Sequence, residues 1–213
     1  MNKNMTQNFS FIIAMLGTIA FAVTAVLAVI PKGIDVFGAS VMGIITAIGG
    51  GTIRDIILDV PVFWSTDLSY IWVALVSSII AFYGHHWMKK KYIYQLMLYL
   101  DAAGIALFVI QGADKVIQLN FAMPVGPVVL GLITAIGGGI TRDIIAGNST
   151  LLMKKELYAV PLTIGAIAYV FLVSILPQYS ILIGSIVIIF TFLMRAIIIY
   201  KKLNVPKWML IQS

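Results

Sequence analysis

The sequence predicts an all-α integral membrane protein of seven transmembrane helices, arranged as two inverted three-helix repeats plus a seventh helix. Three observations lead there: a composition too apolar for a water-facing surface, seven apolar runs of spanning length, and a fifteen-residue motif that occurs twice.

Hydrophobic residues make up 61% of the 213 residues, charged residues only 10%, and the mean hydropathy is +1.05. A soluble domain carries roughly 25% charged residues, so lipid must solvate much of this chain's outer surface. Length argues for one membrane domain over residues 1–213, because seven helices of about 20 residues each use most of it. Cysteine is absent, which excludes disulfides and thiol chemistry. The net charge of +6 does not point to nucleic acid, since the basic residues flank the ends of apolar runs, where they control topology.

The apolar runs cover about 9–30, 37–60, 68–88, 93–111, 123–146, 157–176 and 179–200. The first lacks the cleavage site of a signal peptide and is expected to stay as a helix. The connection between the sixth and seventh is so short that those two must form a tight hairpin. Trp64, Tyr70, Trp87, Tyr92, Tyr158, Tyr179 and Tyr200 fall near run ends, as an interfacial aromatic belt requires. Counting lysines in the connections gives nine on one side (Lys32, Lys89, Lys90, Lys91, Lys154, Lys155, Lys201, Lys202 and Lys207) against Lys3 and Lys115 on the other. The positive-inside rule then places the N terminus outside and the C terminus in the cytoplasm of an inner (plasma) membrane. Arg54, Arg142 and Arg195 lie within or near the ends of the runs and do not enter this count.

Residues 43–57 recur as residues 131–145, with 12 of 15 positions identical at an offset of 88. The copies lie in helices 2 and 5, three spans apart, so they run in opposite directions. That is the inverted-repeat architecture of many transporters. Repeat 1 would cover about 9–88, repeat 2 about 93–176, and helix 7 about 179–200.

Each copy carries three successive glycines: Gly49, Gly50 and Gly51, then Gly137, Gly138 and Gly139. Three glycines weaken a helix by roughly 1 kcal/mol each relative to alanine, so both helices are expected to break there. Freed carbonyls would then line a polar cavity and serve as contacts for a monovalent cation. Close helix packing is the alternative, since small residues let backbones approach in lipid; the symmetric doubling favours the cavity. On that reading, leucine at Gly50 or Gly138 would stop flux and leave the fold intact.

One turn beyond each glycine run stand Arg54-Asp55 and Arg142-Asp143. Ionisable residues inside a membrane are costly and mark function by default. Neighbours on a helix point about 100° apart, so Arg54 is expected to bond to another helix or to the broken backbone rather than to Asp55. Such charges either hold the repeats together or tune ion entry. Asp101, within helix 4, would attract cations or cap a broken helix end. Lys115 is expected to snorkel at the interface, the alternative being that it reaches into the pore as a pore-tuning or structural charge. His85-His86 lacks the spacing of a metal site, the glycine motif lacks the ending of a phosphate-binding loop, and no catalytic cluster is present; an enzyme and a resident cofactor are not expected.

With these residues in view, the chain resembles the prokaryotic branch of the trimeric intracellular cation (TRIC) channel family. The resemblance rests on Ala47-Ile-Gly-Gly-Gly-Thr-Ile-Arg-Asp55, on Ala135-Ile-Gly-Gly-Gly-Ile-Thr-Arg-Asp143, and on Gly33-Ile-Asp35-Val-Phe-Gly38 leading into helix 2. It spans about residues 16–200. It implies a homotrimer in membrane lipid with one pore per protomer, conducting monovalent cations, mainly potassium, past glycine-kinked second and fifth helices. Related bacterial membrane proteins are linked to glycine uptake, which keeps a secondary transporter for a small zwitterion as the alternative. The basic gating residue on helix 4 of the animal members has no secure match, Lys115 being a candidate.

Overall fold

The computed structural model describes residues 3–87 and 89–206. Eight α-helices occur among them: α1 (Lys3–Val29), α2 (Val36–Ile57), α3 (Phe63–Thr66), α4 (Ser69–Gly84), α5 (Lys90–Gln118), α6 (Val125–Ile145), α7 (Ala159–Ile175) and α8 (Ser180–Lys201). Seven are long and α3 is a single turn. Five (α1, α2, α5, α6 and α8) are long and apolar enough to cross a membrane. The other two, α4 and α7, have 16 and 17 residues, and α7 is apolar throughout. Of the lysines counted for orientation, Lys207 and the side chains of Lys3, Lys90 and Lys91 lie outside the described residues.

Local chemistry sets the helix limits. Asp35 starts α2, its carboxylate accepting from the Gly38 amide at 2.7 Å in the manner of an N-cap. Gly33, with φ of +71°, makes the left-handed turn before it. The hairpin expected between the last two helices is there: one 3-10 turn, Pro177–Tyr179, joins α7 to α8.

The most enclosed helices are α1 and α5, which pack on one another and carry much of the core. They lock reciprocally. A methyl at Gly17 would meet the Phe108 ring at 2.9 Å, and one at Gly104 would meet the Phe21 ring at 2.4 Å. The two rings meet edge to face at 5.1 Å. Helices α2 and α4 flank α1, while α6, α7 and α8 flank α5.

The expected helix breaks do not occur. Helix α2 runs without interruption through Gly49, Gly50 and Gly51, and α6 through Gly137, Gly138 and Gly139. The alternative, close packing, is what the glycines do. A methyl group on Gly50 would lie 2.0 Å from the Thr134 carbonyl oxygen, and one on Gly138 would lie 2.2 Å from that of Thr46. Thr46 thus faces Gly138 while Gly50 faces Thr134, a register possible only for antiparallel helices related by a pseudo-two-fold axis. Glycine's weak helix propensity is outweighed here by the dispersion and burial gained when two backbones touch.

Candidate functional site

The buried charges gather in two clusters, one on each side of the α2–α6 crossing. At the first, Arg54 and Asp55 are 1% and 0% exposed. Asp55 Oδ1 accepts from Arg54 Nε and from Lys115 Nζ, each at 2.8 Å. Asp55 Oδ2 accepts from the Phe63 amide at 2.9 Å, which fastens the short α3 to the end of α2. Arg54 Nη1 donates to Gln111 on α5 at 2.8 Å, and its guanidinium stands 5.9 Å from the Phe63 ring centre.

The second cluster repeats this plan with different neighbours. Arg142 Nε donates to Asp143 Oδ1 at 2.9 Å, and Asp143 Oδ2 accepts from the Leu151 amide at 3.1 Å. Leu151 is the counterpart of Phe63 at the motif's offset of 88. Arg142 Nη1 donates to Asp101 Oδ1 at 2.9 Å, and the Tyr158 hydroxyl donates to Asp101 Oδ2 at 3.0 Å. Arg142 Nη2 has no partner.

Two corrections follow. Arg54 does bond to another helix, but it also pairs with its neighbour Asp55, as Arg142 does with Asp143, because a long arginine can curl back along its own helix. Asp101 caps no broken helix, since α2 and α6 are continuous, and pairs with Arg142 instead; Lys115, 26% exposed, holds Asp55.

The charge balance differs between the ends. Two cations share one carboxylate around Asp55, whereas one guanidinium serves two carboxylates around Arg142. One end is net positive and the other net negative in formal charge.

Space is distributed unequally too. An open cavity of about 1070 Å³ leads in from the side of Lys32, His85, His86, Asn148 and Lys154, and reaches Asp143. Gly147, with φ of +61°, turns the chain sharply after α6 and borders this vestibule. Beyond the crossing is a cavity of only about 10 Å³, lined by Ala47, Gly51, Arg54, Phe63, Gln111 and Thr134 among others, room for about one water. His85 and His86 lie on a 3-10 turn at the vestibule wall, and no group of acidic, histidine or cysteine side chains among the described residues could hold a metal.

This arrangement has relatives. A family profile described as "Glycine transporter" matches residues 11–86 and 98–174. The UPF0126 inner membrane protein YadS of Escherichia coli is 38% identical over 156 residues, 73% of this chain and 74% of its own length. The UPF0126 membrane protein YvgT of Bacillus subtilis is 34% identical over 163 residues, 73% of this chain and 77% of its own. Among solved structures, the TRIC trimeric intracellular cation channel orthologue from Rhodobacter sphaeroides superposes with a TM-score of 0.85 at 32% identity, covering 91% of this chain and 98% of that one. The chain belongs to the prokaryotic TRIC family. A prokaryotic TRIC channel crystallised in 0.5 M KCl gives a TM-score of 0.84 at 27% identity, with 92% of this chain and 98% of that one covered.

As a TRIC family member the chain is a multi-pass membrane protein, and its structural neighbours are channels rather than enzymes. Of the residues singled out in the sequence, Arg54, Asp55 and Lys115 meet at one end of the TRIC fold, and Arg142, Asp143 and Asp101 at the other. The six glycines lie between them. Gln111, Phe63 and Leu151 also belong to the clusters with no expectation attached to them, and Tyr158, expected in the interfacial aromatic belt, is instead buried with its hydroxyl on Asp101. The offset of 88 offered a signal for Tyr158, because it pairs that residue with Tyr70. Gln111 had none: an isolated glutamine near a helix end has no pattern.

Proposed function

We propose that this chain is a cation channel that passively conducts monovalent cations, potassium foremost and sodium as the other candidate, through one pore in each protomer of a homotrimer. The observation that carries this reading is the vestibule reaching a buried Arg–Asp cluster beside the α2–α6 crossing, within a fold shared with cation channels at TM-scores of 0.80 to 0.85. The protein would lie in the inner membrane, as the description of YadS indicates for that relative. Its N terminus would face outside and its C terminus the cytoplasm. All seven long helices would span; the 16 residues of α4 reach about 24 Å, and interfacial aromatics such as Trp87 extend them. No cofactor is needed, the ion being cargo.

The pathway would run from the vestibule past Asp143, along the antiparallel crossing, to the small cavity beside Arg54. Gly49, Gly50, Gly51, Gly137, Gly138 and Gly139 then contribute bare surface rather than freed carbonyls. In a low-dielectric passage, unscreened arginines repel cations and paired ones do not, so the carboxylates that hold Arg54 and Arg142 set the barrier. Conduction requires a small separation at the crossing, where the backbones touch.

Lys115 tests this electrostatic account. Lys115→Met leaves Arg54 paired with Asp55 and removes one of two cations at that end. Potassium conductance is expected to rise about two- to threefold with unchanged assembly; unchanged conductance would remove this end from the pathway.

The second reading is a secondary transporter for glycine or another small zwitterion, favoured by the description of the matching family. Potassium currents through purified protein in planar bilayers, with imposed glycine gradients, separate the two. Discrete steps reversing at the potassium potential and indifferent to glycine establish the channel. Absence of steps together with saturable glycine uptake into liposomes establishes the carrier.

A further inference from the structure

We propose that Arg195, on the helix outside the two repeats, is a positioning residue that acts through Tyr158 to set how Arg142 is held at the vestibule end of the pathway. The inference rests on the conduction reading above.

Arg195 is 0% exposed in the C-terminal half of an apolar helix. Its Nη1 donates to Glu156 Oε1 and to the Leu157 carbonyl, both at 2.9 Å, and its Nε has no partner. The guanidinium lies 4.8 Å from the centre of the Tyr158 ring, a distance at which the ring's negative face attracts a cation. Burying an ion pair seldom improves stability over well-packed apolar side chains, so stability alone is a poor reason for an arginine here.

The segment that Arg195 grips is held a second time by the chain following α8. The Leu157 amide donates to the Leu203 carbonyl at 3.3 Å, the Val205 amide to the Lys155 carbonyl at 2.7 Å, and Glu156 faces Asn204 in a short antiparallel bridge. Tyr158 therefore leaves this segment with its ring placed by α8 on one side and its hydroxyl on Asp101 on the other.

What Tyr158 occupies is an oxygen that Arg142 could use. Three groups converge over the bare face of Gly139: an atom at its missing Cβ would stand 3.6 Å from Asp101 Oδ1, 3.7 Å from the Tyr158 hydroxyl and 3.8 Å from Arg142 Nη2. Nη2 is the unpartnered nitrogen. While Tyr158 donates to Asp101 Oδ2, Arg142 holds that carboxylate with Nη1 alone. When the hydroxyl leaves, the carboxylate can take the guanidinium with both oxygens, the stronger and more fixed pairing. Loss of the hydroxyl would thus give Arg142 a second arrangement, and Arg195 opposes that change by holding the ring in place.

The opposite end lacks this control. Tyr70, the counterpart of Tyr158, packs on Phe63 and Phe11 with ring centres 4.7 and 6.0 Å away, whereas the arginine of α8 lies over Tyr158. A helix without a partner in the duplication would thus give the two ends different regulation.

Single-channel potassium recordings of the reconstituted full chain test the proposal, using Tyr158→Phe, Arg195→Met, Arg195→Lys and the double variant Tyr158→Phe/Arg195→Met. Tyr158→Phe removes one hydroxyl and preserves packing; potassium conductance is expected to rise about threefold as Arg142 is neutralised more fully. Arg195→Met should act in the same direction, Arg195→Lys should retain part of the wild-type behaviour, and the double variant should match the stronger single one. Wild-type or lowered currents in Tyr158→Phe overturn the proposal even if Arg195→Met fails to assemble. Effects that multiply in the double variant also overturn it, because the residues would then act separately. Wild-type protein that passes no current while taking up glycine would instead sink the conduction reading.

Discussion

Alanine at Gly50 or Gly138 is expected to destroy the folded protein, not merely its current. The added methyl would sit 2.0 Å from the Thr134 carbonyl oxygen in the first case and 2.2 Å from that of Thr46 in the second. Both obstacles are backbone atoms within continuous helices, so neither can rotate away. The helices would have to part by more than about 1 Å, against the close packing that lipid cannot replace. Overpacking a core costs about 1–3 kcal/mol where side chains can yield, and this site should exceed that. Gly84, at the end of α4, supplies the control: nothing lies within 4 Å of its missing Cβ, and Gly84→Ala should change stability by no more than about 1 kcal/mol. Thermal melting and size-exclusion profiles in detergent would show the contrast. A Gly50→Ala protein that melts like wild type but conducts differently would restore the flexible-hinge view of these glycines. This expectation reverses the one drawn from sequence, where leucine at these positions would have spared the fold.

Arg142→Met should be more damaging than Arg54→Met, although the two arginines occupy equivalent positions in the duplicated motif. Removing one partner of a buried charge pair costs about 3–5 kcal/mol, because the other is left uncompensated. Without Arg142, Asp101 and Asp143, at 0% and 4% exposure, both lose their cation and keep only neutral donors, the Tyr158 hydroxyl and the Leu151 amide. Without Arg54, Asp55 keeps Lys115 at 2.8 Å and the Phe63 amide at 2.9 Å. Arg54→Met should therefore assemble with a moderate loss of melting temperature and an altered conductance, while Arg142→Met should yield little folded protein. Adding Asp101→Asn to Arg142→Met removes one uncompensated charge and should recover part of the loss. Arg142→Lys should recover less than its charge suggests, since a single ammonium cannot reach both carboxylates with the planar fork that arginine uses. Equal stability of the two methionine variants would mean that the charge asymmetry has no energetic consequence.

The all-helical membrane class and the antiparallel pairing of the two motif helices were legible in the sequence alone. Each rests on a property that adds up along the chain: hydropathy sums over a run, and the duplicated motif survives as letters at a constant offset. The positions of the charge clusters were visible for the same reason, Arg54-Asp55 and Arg142-Asp143 being repeated words in apolar text. What these residues do was decided by tertiary structure. The glycines could break their helices or let them touch, and propensity favoured the break. Only the placement of Thr134 and Thr46 against Gly50 and Gly138 shows contact, because backbone packing between distant segments leaves no periodic trace. Likewise Asp101, Lys115, Gln111 and Arg195 come to the arginine ends from helices outside the motif, at separations set by how α5 and α8 cross their neighbours. A buried charge takes its partner from whatever the fold brings within about 3 Å, and that distance is a property of packing, not of spacing along the chain.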